Sequence, residues 1–238
     1  MPGNNYFQFK QFKIIQEKSA MRVGTDAVLL GAWATVSGAA RILDIGTGTG
    51  VIAIMLAQRS DAEITGIEIE KNAAEEALAN VRHSPWPGRL KILHTSFQEI
   101  IKSSNEQFDL IVSNPPFFIN AKRPYNHNLA IARHSEKLTL HELAKGVDKL
   151  MNPDGRLAMI LPVFAAKICI PLAEKYELHL SRLTEVQPNE AKPPHRYLME
   201  FCKKSSKLHK ESIAIRNASN DDFTEAYKRL TRDYYLKF

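Results

Sequence analysis

Asn114, Pro115, Pro116 and Phe117 follow an apolar run and a serine in FDLIVSNPPFF, Phe108 to Phe118. An asparagine side-chain oxygen and the carbonyl of the next proline are acceptors on adjacent residues, and two prolines stiffen the backbone that carries them. Such a pair can accept both N–H groups of an amine attached to a flat ring. That nitrogen is a poor nucleophile because its lone pair is delocalised into the ring. Drawn toward tetrahedral geometry, it can attack without a strong general base, and acceptors held ready in advance stabilise the transition state. Phe117 can stack on the ring and face the positive charge that develops on the nitrogen.

A second stretch, LDIGTGTG from Leu43 to Gly50, ends an apolar run with an acid and three alternate glycines. Glycines permit unusual backbone angles and close approach of the chain to a ligand. A dinucleotide fingerprint needs Gly-x-Gly-x-x-Gly before a helix whose N-terminus meets a pyrophosphate. Here Val51 stands three residues after Gly48, so pyrophosphate is not the favoured ligand. The pattern of Asp44, Gly46, Gly48 and Gly50 resembles the first motif of the S-adenosylmethionine-dependent methyltransferases, where the turn passes against the aminoacyl end of the cofactor. Glu68 ends the neighbouring apolar run, where a ribose diol can donate two hydrogen bonds to one carboxylate, and Glu70 competes for that role. Ser96 and Phe97 follow the third run, where this class usually meets the cofactor adenine through an acid and its neighbour. Ser96 replaces the acid, and Phe97 offers an apolar wall.

These groups need strands to carry them. Phe7, Phe9, Phe12, Ile14 and Ile15 suit a small strand pair over the cofactor mouth. Thr25 or Asp26 can cap a helix running to Ala34, and a helix start beside the cofactor turn offers N–H donors to a carboxylate. Arg41 to Ile45, Glu63 to Glu68, Leu90 to His94 and Phe108 to Ser113 read as strands. Val51 to Gln58 and Lys71 to Arg82 read as the helices between them, with SPWPG (Ser84 to Gly88) as a breaker. Thr139 to Met151 predicts a helix closed by NPDG, Arg156 to Leu161 a fifth strand, and Phe164 to Lys175 a helix interrupted by Pro171. Glu177 to Val186 and Arg196 to Cys202 read as the last two strands, which in the fold the resemblance implies form a hairpin with one strand antiparallel to the rest, and Ser212 to Arg216 can add a short strand. Asp221 or Asp222 can cap a last helix, Phe223 to Tyr235, docked by Phe223, Tyr227, Leu230 and Tyr234. Alternation of this kind predicts an α/β fold with a parallel, doubly wound sheet, and the resemblance implies a Rossmann-like class I methyltransferase with a seven-stranded, mostly parallel sheet and one antiparallel strand. A single domain over 1–238 is expected, with a covering segment 1–40, a core 41–202 and a basic extension 203–238.

With 238 residues, 44% hydrophobic and 24% charged, the chain can bury one sizeable α/β core. Its longest apolar run, Leu157 to Ala166, is too short to cross a bilayer, and the start MPGNNYFQFK lacks the apolar core of a signal peptide. A cytoplasmic location without membrane attachment is the default. Cys169 and Cys202 have no Cys-x-x-Cys and no histidine at ligand spacing, so no metal is expected. The net charge of +6 divides into +3 over residues 1–25, +4 over 203–238 and about −1 between. Basic ends suit a polyanion, as they also suit solubility. Lys122, Arg123, Arg133 and His134, interleaved with Tyr125 and His127, could grip phosphates and stack a base, although a solvated loop has much the same composition. Lys18 and Arg22 near the start, and Lys228, Arg229 and Arg232 in the last helix, complete the expected RNA-binding set.

LDIGTGTG together with SNPPF resembles the amino-methyltransferases that act on adenine N6 in DNA or RNA, or on glutamine amides of release factors. MRVGTDAVLLGAW (Met21 to Trp33), ARHSEKLTLHEL (Ala132 to Leu143) and LTRDYYL (Leu230 to Leu236) narrow the choice. With them, nearly the whole chain is similar to the bacterial valine-tRNA adenine N6-methyltransferases, which modify the adenine beside the anticodon. The resemblance implies Thr25 and Asp26 near S-adenosylmethionine, Asp44, Gly46, Gly48, Gly50 and Glu68 holding it, and Asn114 to Phe117 at the target amine, with Asn114 also beside the cofactor. It further implies S-adenosylhomocysteine as product, no metal, and tRNA bound through its anticodon loop; a monomer is expected. A glutamine N5-methyltransferase would carry a helical N-terminal domain, for which the segment before Arg41 leaves no room. A non-catalytic RNA-binding module on a methyltransferase scaffold would not need both motifs intact.

Overall fold

The computed structural model describes residues 5–19, 21–115, 138–220 and 222–238. Strands β1 (Tyr6–Gln8) and β2 (Lys13–Ile15) pair antiparallel. Then come α1 (Thr25–Trp33), β3 (Arg41–Ile45), α2 (Val51–Arg59), β4 (Glu63–Glu68), α3 (Lys71–Arg82), β5 (Leu90–His94), α4 (Phe97–Ser103) and β6 (Phe108–Ser113). The second half supplies α5 (Leu140–Leu150), β7 (Met151–Pro162), α6 (Val163–Glu174), β8 (His179–Asn189), β9 (Arg196–Cys202), β10 (His209–Arg216) and α7 (Glu225–Thr231). Apart from the β1–β2 pair, the strands form one sheet in the order β10-β8-β9-β7-β6-β3-β4-β5. Only β9 among them runs against its neighbours.

The apolar runs lack a polar face because both sides of the sheet are covered. Ile42 of β3, Leu110 and Val112 of β6, and Ala158 and Ile160 of β7 share one core with α1, α2, the β1–β2 hairpin and the C-terminal Tyr227 and Tyr234. Their sequence neighbours Leu43, Ile111, Leu157 and Met159 point to the other side, against Phe97, α5 and α6. Alternation with period two thus feeds two cores from the same strands. Helices α4 and α5 each begin in a capping box, Ser96 with Glu99 and Thr139 with Glu142, in which side chain and backbone satisfy each other's free donors.

Several local expectations are corrected. Among the described residues the large sheet has eight strands rather than seven. The eighth, β10, lies parallel to β8 and is fastened by polar contacts: Glu211 accepts from Thr184 at 2.8 Å and pairs with Arg182 at 2.8 Å, and Trp33 donates to Thr184 at 2.8 Å. Neither Thr25 nor Asp26 caps α1: they are its first two residues, the cap position falls on Gly24, which has no side chain, and Asp26 accepts from Arg196. Pro171 does not interrupt α6; Lys167, whose carbonyl loses its helical partner, is on the exposed side and can meet water. NPDG does not stand outside a strand but within β7, where a register shift lets Met151 pair with Phe108 ahead of Arg156 with Leu110. The last helix is shorter than predicted, and its cap is Thr224, which accepts from Tyr227 N–H; Asp222 accepts from Phe223 N–H instead.

Candidate active site

The glycine turn leaves β3 at the carboxyl edge of the sheet, where the chain reverses the order of strand addition and ligands settle in such folds. Gly46, Gly48 and Gly50 have φ of 71°, 55° and 80°, in the left-handed region that side chains resist. A Cβ at Gly46 or Gly48 would meet nothing within 4 Å, so the turn borders open space that any side chain would occupy. Gly66 of β4 is a requirement that the motif did not reveal. A Cβ there would lie 3.0 Å from Thr47 Oγ1 and 2.8 Å from Ile92 Cδ1, so its absence lets the turn settle onto β4.

Glu68 folds back onto this turn. Its Oε2 accepts Gly48 N–H at 2.9 Å, and its Oε1 accepts Glu70 N–H at 2.9 Å. Glu70 itself is exposed and precedes α3, so of the two acids it is Glu68 that lies against the turn. Asp44 is fully buried; Oδ2 accepts Thr47 Oγ1–H at 2.6 Å, while Oδ1 has no partner of good hydrogen-bond geometry among the described residues. Burial, with a smaller push from the Glu68 charge, raises the Asp44 carboxyl to about 7, against the opposing pull of the Thr47 hydroxyl and the Ala53 N–H. An orphaned carboxylate oxygen, an open glycine cradle and a second carboxylate on its rim fit a cationic ligand with a ribose, as S-adenosylmethionine is.

Asn114 and Pro115 stand at the same edge. Ile45 and Ser113 are partners in the β3–β6 ladder, and Ser113 Oγ–H donates to Ile45 O at 3.0 Å. The hydroxyl binds the two strand ends together one residue before each chain departs, Gly46 into the cradle and Asn114 into the Asn-Pro segment. Asn114 is half-buried and Pro115 buried. Pro116, Phe117, Lys122, Arg123, Arg133 and His134 lie outside the described residues.

The remaining predicted residues are divided. Thr25 is exposed at the first position of α1, and Asp26 is held by Arg196 Nε at 2.9 Å, tying that helix start to the edge of β9. Ser96 does not offer a free hydroxyl in place of the missing acid; it accepts Glu99 N–H at 3.2 Å as the cap of α4. Phe97 is 4% exposed and belongs to the core under α5, packed so tightly that a Cβ on Gly146 would lie 2.5 Å from its ring. By contrast Ile69, next to Glu68, is 48% exposed and offers the apolar surface that Phe97 does not. An apolar residue directly after the strand-end acid was the available signal. Lys18, Arg22, Arg229 and Arg232 are exposed, whereas Lys228 is half-buried and engaged by Asp222 and Glu225 at 3.3 and 3.1 Å. Among the described residues no cluster of three His, Cys, Asp or Glu side chains could hold a metal ion, and no helix is long and apolar enough to cross a membrane.

Residues 19–164 match the family model of the methyltransferase small domain. The chain is 42% identical over 236 residues to the tRNA1(Val) (adenine(37)-N6)-methyltransferase of Bacteroides thetaiotaomicron, covering 98% of both chains. It is 44% identical to the protein of the same name from Trichodesmium erythraeum, over 99% of this chain and 100% of the other. Among solved structures, one described as a predicted O-methyltransferase from Agrobacterium tumefaciens superposes with a TM-score of 0.69 at 18% identity, over 88% of this chain and 96% of that one, a likeness of fold.

Proposed function

The chain belongs to the tRNA1(Val) (adenine(37)-N6)-methyltransferase family, and on that premise we infer that it methylates N6 of an adenine in tRNA using S-adenosylmethionine. The observation that carries the reading is the bond from Ser113 to Ile45, which sets the Asn-Pro segment beside the glycine cradle. When bound, S-adenosylmethionine supplies a methyl group on a positively charged sulfur. The chain's own part is to hold and orient. Asp44, Gly46, Gly48, Gly50 and Glu68 form the cofactor's seat, with Ile69 on the adenine side and Thr25 and Asp26 near the mouth. The Asn114 side-chain oxygen and the Pro115 carbonyl accept the two N–H groups of the target amine and turn its lone pair outward, while Pro116 stiffens the segment and Phe117 stacks on the base. No side chain needs to act as a strong base.

The substrate position is adenine 37, the position in the relatives' name. An anticodon loop suits this site, since an adenine there is already partly unstacked and inexpensive to extrude. Lys18, Arg22, Lys122, Arg123, Arg133, His134, Arg229 and Arg232 are the candidate RNA contacts, with Lys228 held back by its ion pairs. The protein acts as a cytoplasmic monomer, and its ends belong with the core in one domain, a reading supported by the core that Phe9, Ile14, Tyr227 and Tyr234 share with α2.

The test is methyl transfer from labelled S-adenosylmethionine to RNA from cells lacking the protein, followed by digestion to nucleosides and fractionation of the tRNA. Label in N6-methyladenosine from one valine tRNA is expected. Label on release-factor glutamine with none on RNA would overturn the assignment, and silence with both substrates would leave a cofactor-binding scaffold.

A further inference from the structure

Helix α3 carries two buried polar side chains one turn apart, Glu76 and Asn80, 5% and 1% exposed, and neither belongs to the seat described above. Asn80 makes three good hydrogen bonds. Its Oδ1 accepts Ile15 N–H at 2.8 Å, and its Nδ2 donates to Ile15 O and to Thr49 O, both at 2.9 Å. Thr49 lies between Gly48 and Gly50, so one amide grips the glycine turn with one hand and, with a strand-like pair of bonds, the end of β2 with the other. Glu76 holds the residues that follow. Its Oε2 accepts the N–H groups of Glu17 and Lys18 at 2.7 Å, and its Oε1 accepts that of Ser19 at 3.1 Å.

Of the five backbone N–H groups from Ile15 to Ser19, four therefore end on α3 side chains, and the fifth, of Gln16, goes to Asn5 O at 2.9 Å. A carboxylate in so buried a place is costly unless donors surround it. Among the described residues, the donors to Glu76 all come from this arm, so departure of the arm would strand the charge. A ligand that fixes the backbone of the glycine turn fixes Thr49 O, and through Asn80 it orders the arm that bears Lys18. The ordering then need not be repeated when a second ligand binds the arm.

We propose that Asn80 and Glu76 are positioning residues that clamp the N-terminal arm to the glycine turn, so that cofactor on the turn and tRNA on the arm bind cooperatively. The tRNA half rests on the function proposed above; the clamp itself does not. Amide hydrogen exchange of residues 15–19, with and without S-adenosylhomocysteine, tests the clamp, and tRNA affinity measured in the same two states tests the cooperativity. In the full-length wild-type protein the ligand should slow exchange at these amides and tighten tRNA binding, each by about fivefold or more. In Asn80→Ala both ratios should fall to about one. Glu76→Gln keeps volume and one acceptor oxygen and leaves the Thr49 contact in place; it should lose the same effects at residues 17–19, and it serves if Asn80→Ala does not fold. Exchange in the wild type that ignores the ligand, or variants that retain the wild-type ratios, would overturn the clamp. Protection without any tRNA binding would uphold the clamp and sink the tRNA half together with the functional reading.

Discussion

Asn114 and Asp44 carry the predictions that belong to single residues. If Asn114 and Pro115 act as the proposed acceptor pair, Asn114→Ala removes one of the two, so turnover should fall roughly 10²-fold or more while S-adenosylhomocysteine still binds. Near-normal turnover in single-turnover assays would rule out the acceptor role. Asp44 has its folded pKa raised to about 7 from an ordinary 3.8 by burial. Its contribution to the stability of the ligand-free protein is therefore fully present below 3.8 and is lost as pH rises toward 7, because the folded state keeps a proton that the unfolded state gives up. A cationic ligand favours the ionised form, so its binding should release a proton below pH 7. Affinity for S-adenosylmethionine should accordingly rise with pH up to about 7, by no more than about tenfold per unit, and then level off. Calorimetric titrations of Asp44→Asn should show a flattened profile; the wild-type slope in that variant would assign the proton elsewhere.

At the scale of elements, α4 shows how a helix start can take over a residue that a motif would assign to a ligand. Ser96 and Glu99 satisfy each other's backbone donors, which leaves the hydroxyl committed. Ser96→Ala should cost about 1 kcal/mol of stability with little change in cofactor affinity, as read by urea denaturation and calorimetry. A large affinity loss at unchanged stability would return Ser96 to the cofactor site. The glycine turn makes the complementary point. Three glycines in register mark it in sequence, yet what holds it are groups from other elements, namely Glu68, Asn80 and the missing side chain of Gly66. The sequence marks Lys71 to Arg82 as a helix rich in polar residues. That two of its polar residues point inward was not legible there, because a buried Glu and an exposed one look alike until their donors are placed.

For the whole molecule, the two chain ends close on each other. Phe9 packs edge-on to Tyr234 with ring centres 6.5 Å apart, Lys10 N–H donates to Tyr234 O at 2.8 Å, and the Lys10 ammonium reaches the carbonyl of Phe238. Tyr234 is 2% exposed and donates to Met55 O of α2 at 3.1 Å, which anchors the C-terminus on the helix that follows the glycine turn. Tyr234→Phe should cost about 1 kcal/mol for the lost hydrogen bond, and Tyr234→Ala roughly 3–5 kcal/mol for the emptied core. Equal small losses in both variants would mean that the C-terminal segment is not part of the cooperative core.

The sequence by itself determined the alternation of strands and helices, the boundaries of β3 to β6, the glycine turn and the Asn-Pro segment. Each of these is written in local chemistry: apolar runs of strand length, glycines where φ must be positive, prolines where the backbone must be stiff. The tertiary structure alone decided which acid meets the turn, that Phe97 is core, that an eighth strand docks, and that α3 ties the N-terminal arm to the glycine turn. Which acid meets the turn and how α3 holds the arm depend on hydrogen-bond partners 20 to 65 residues away, as Gly48 is from Glu68 and Ile15 from Asn80. A carboxylate, hydroxyl or amide has no fixed role until burial removes water as its alternative partner.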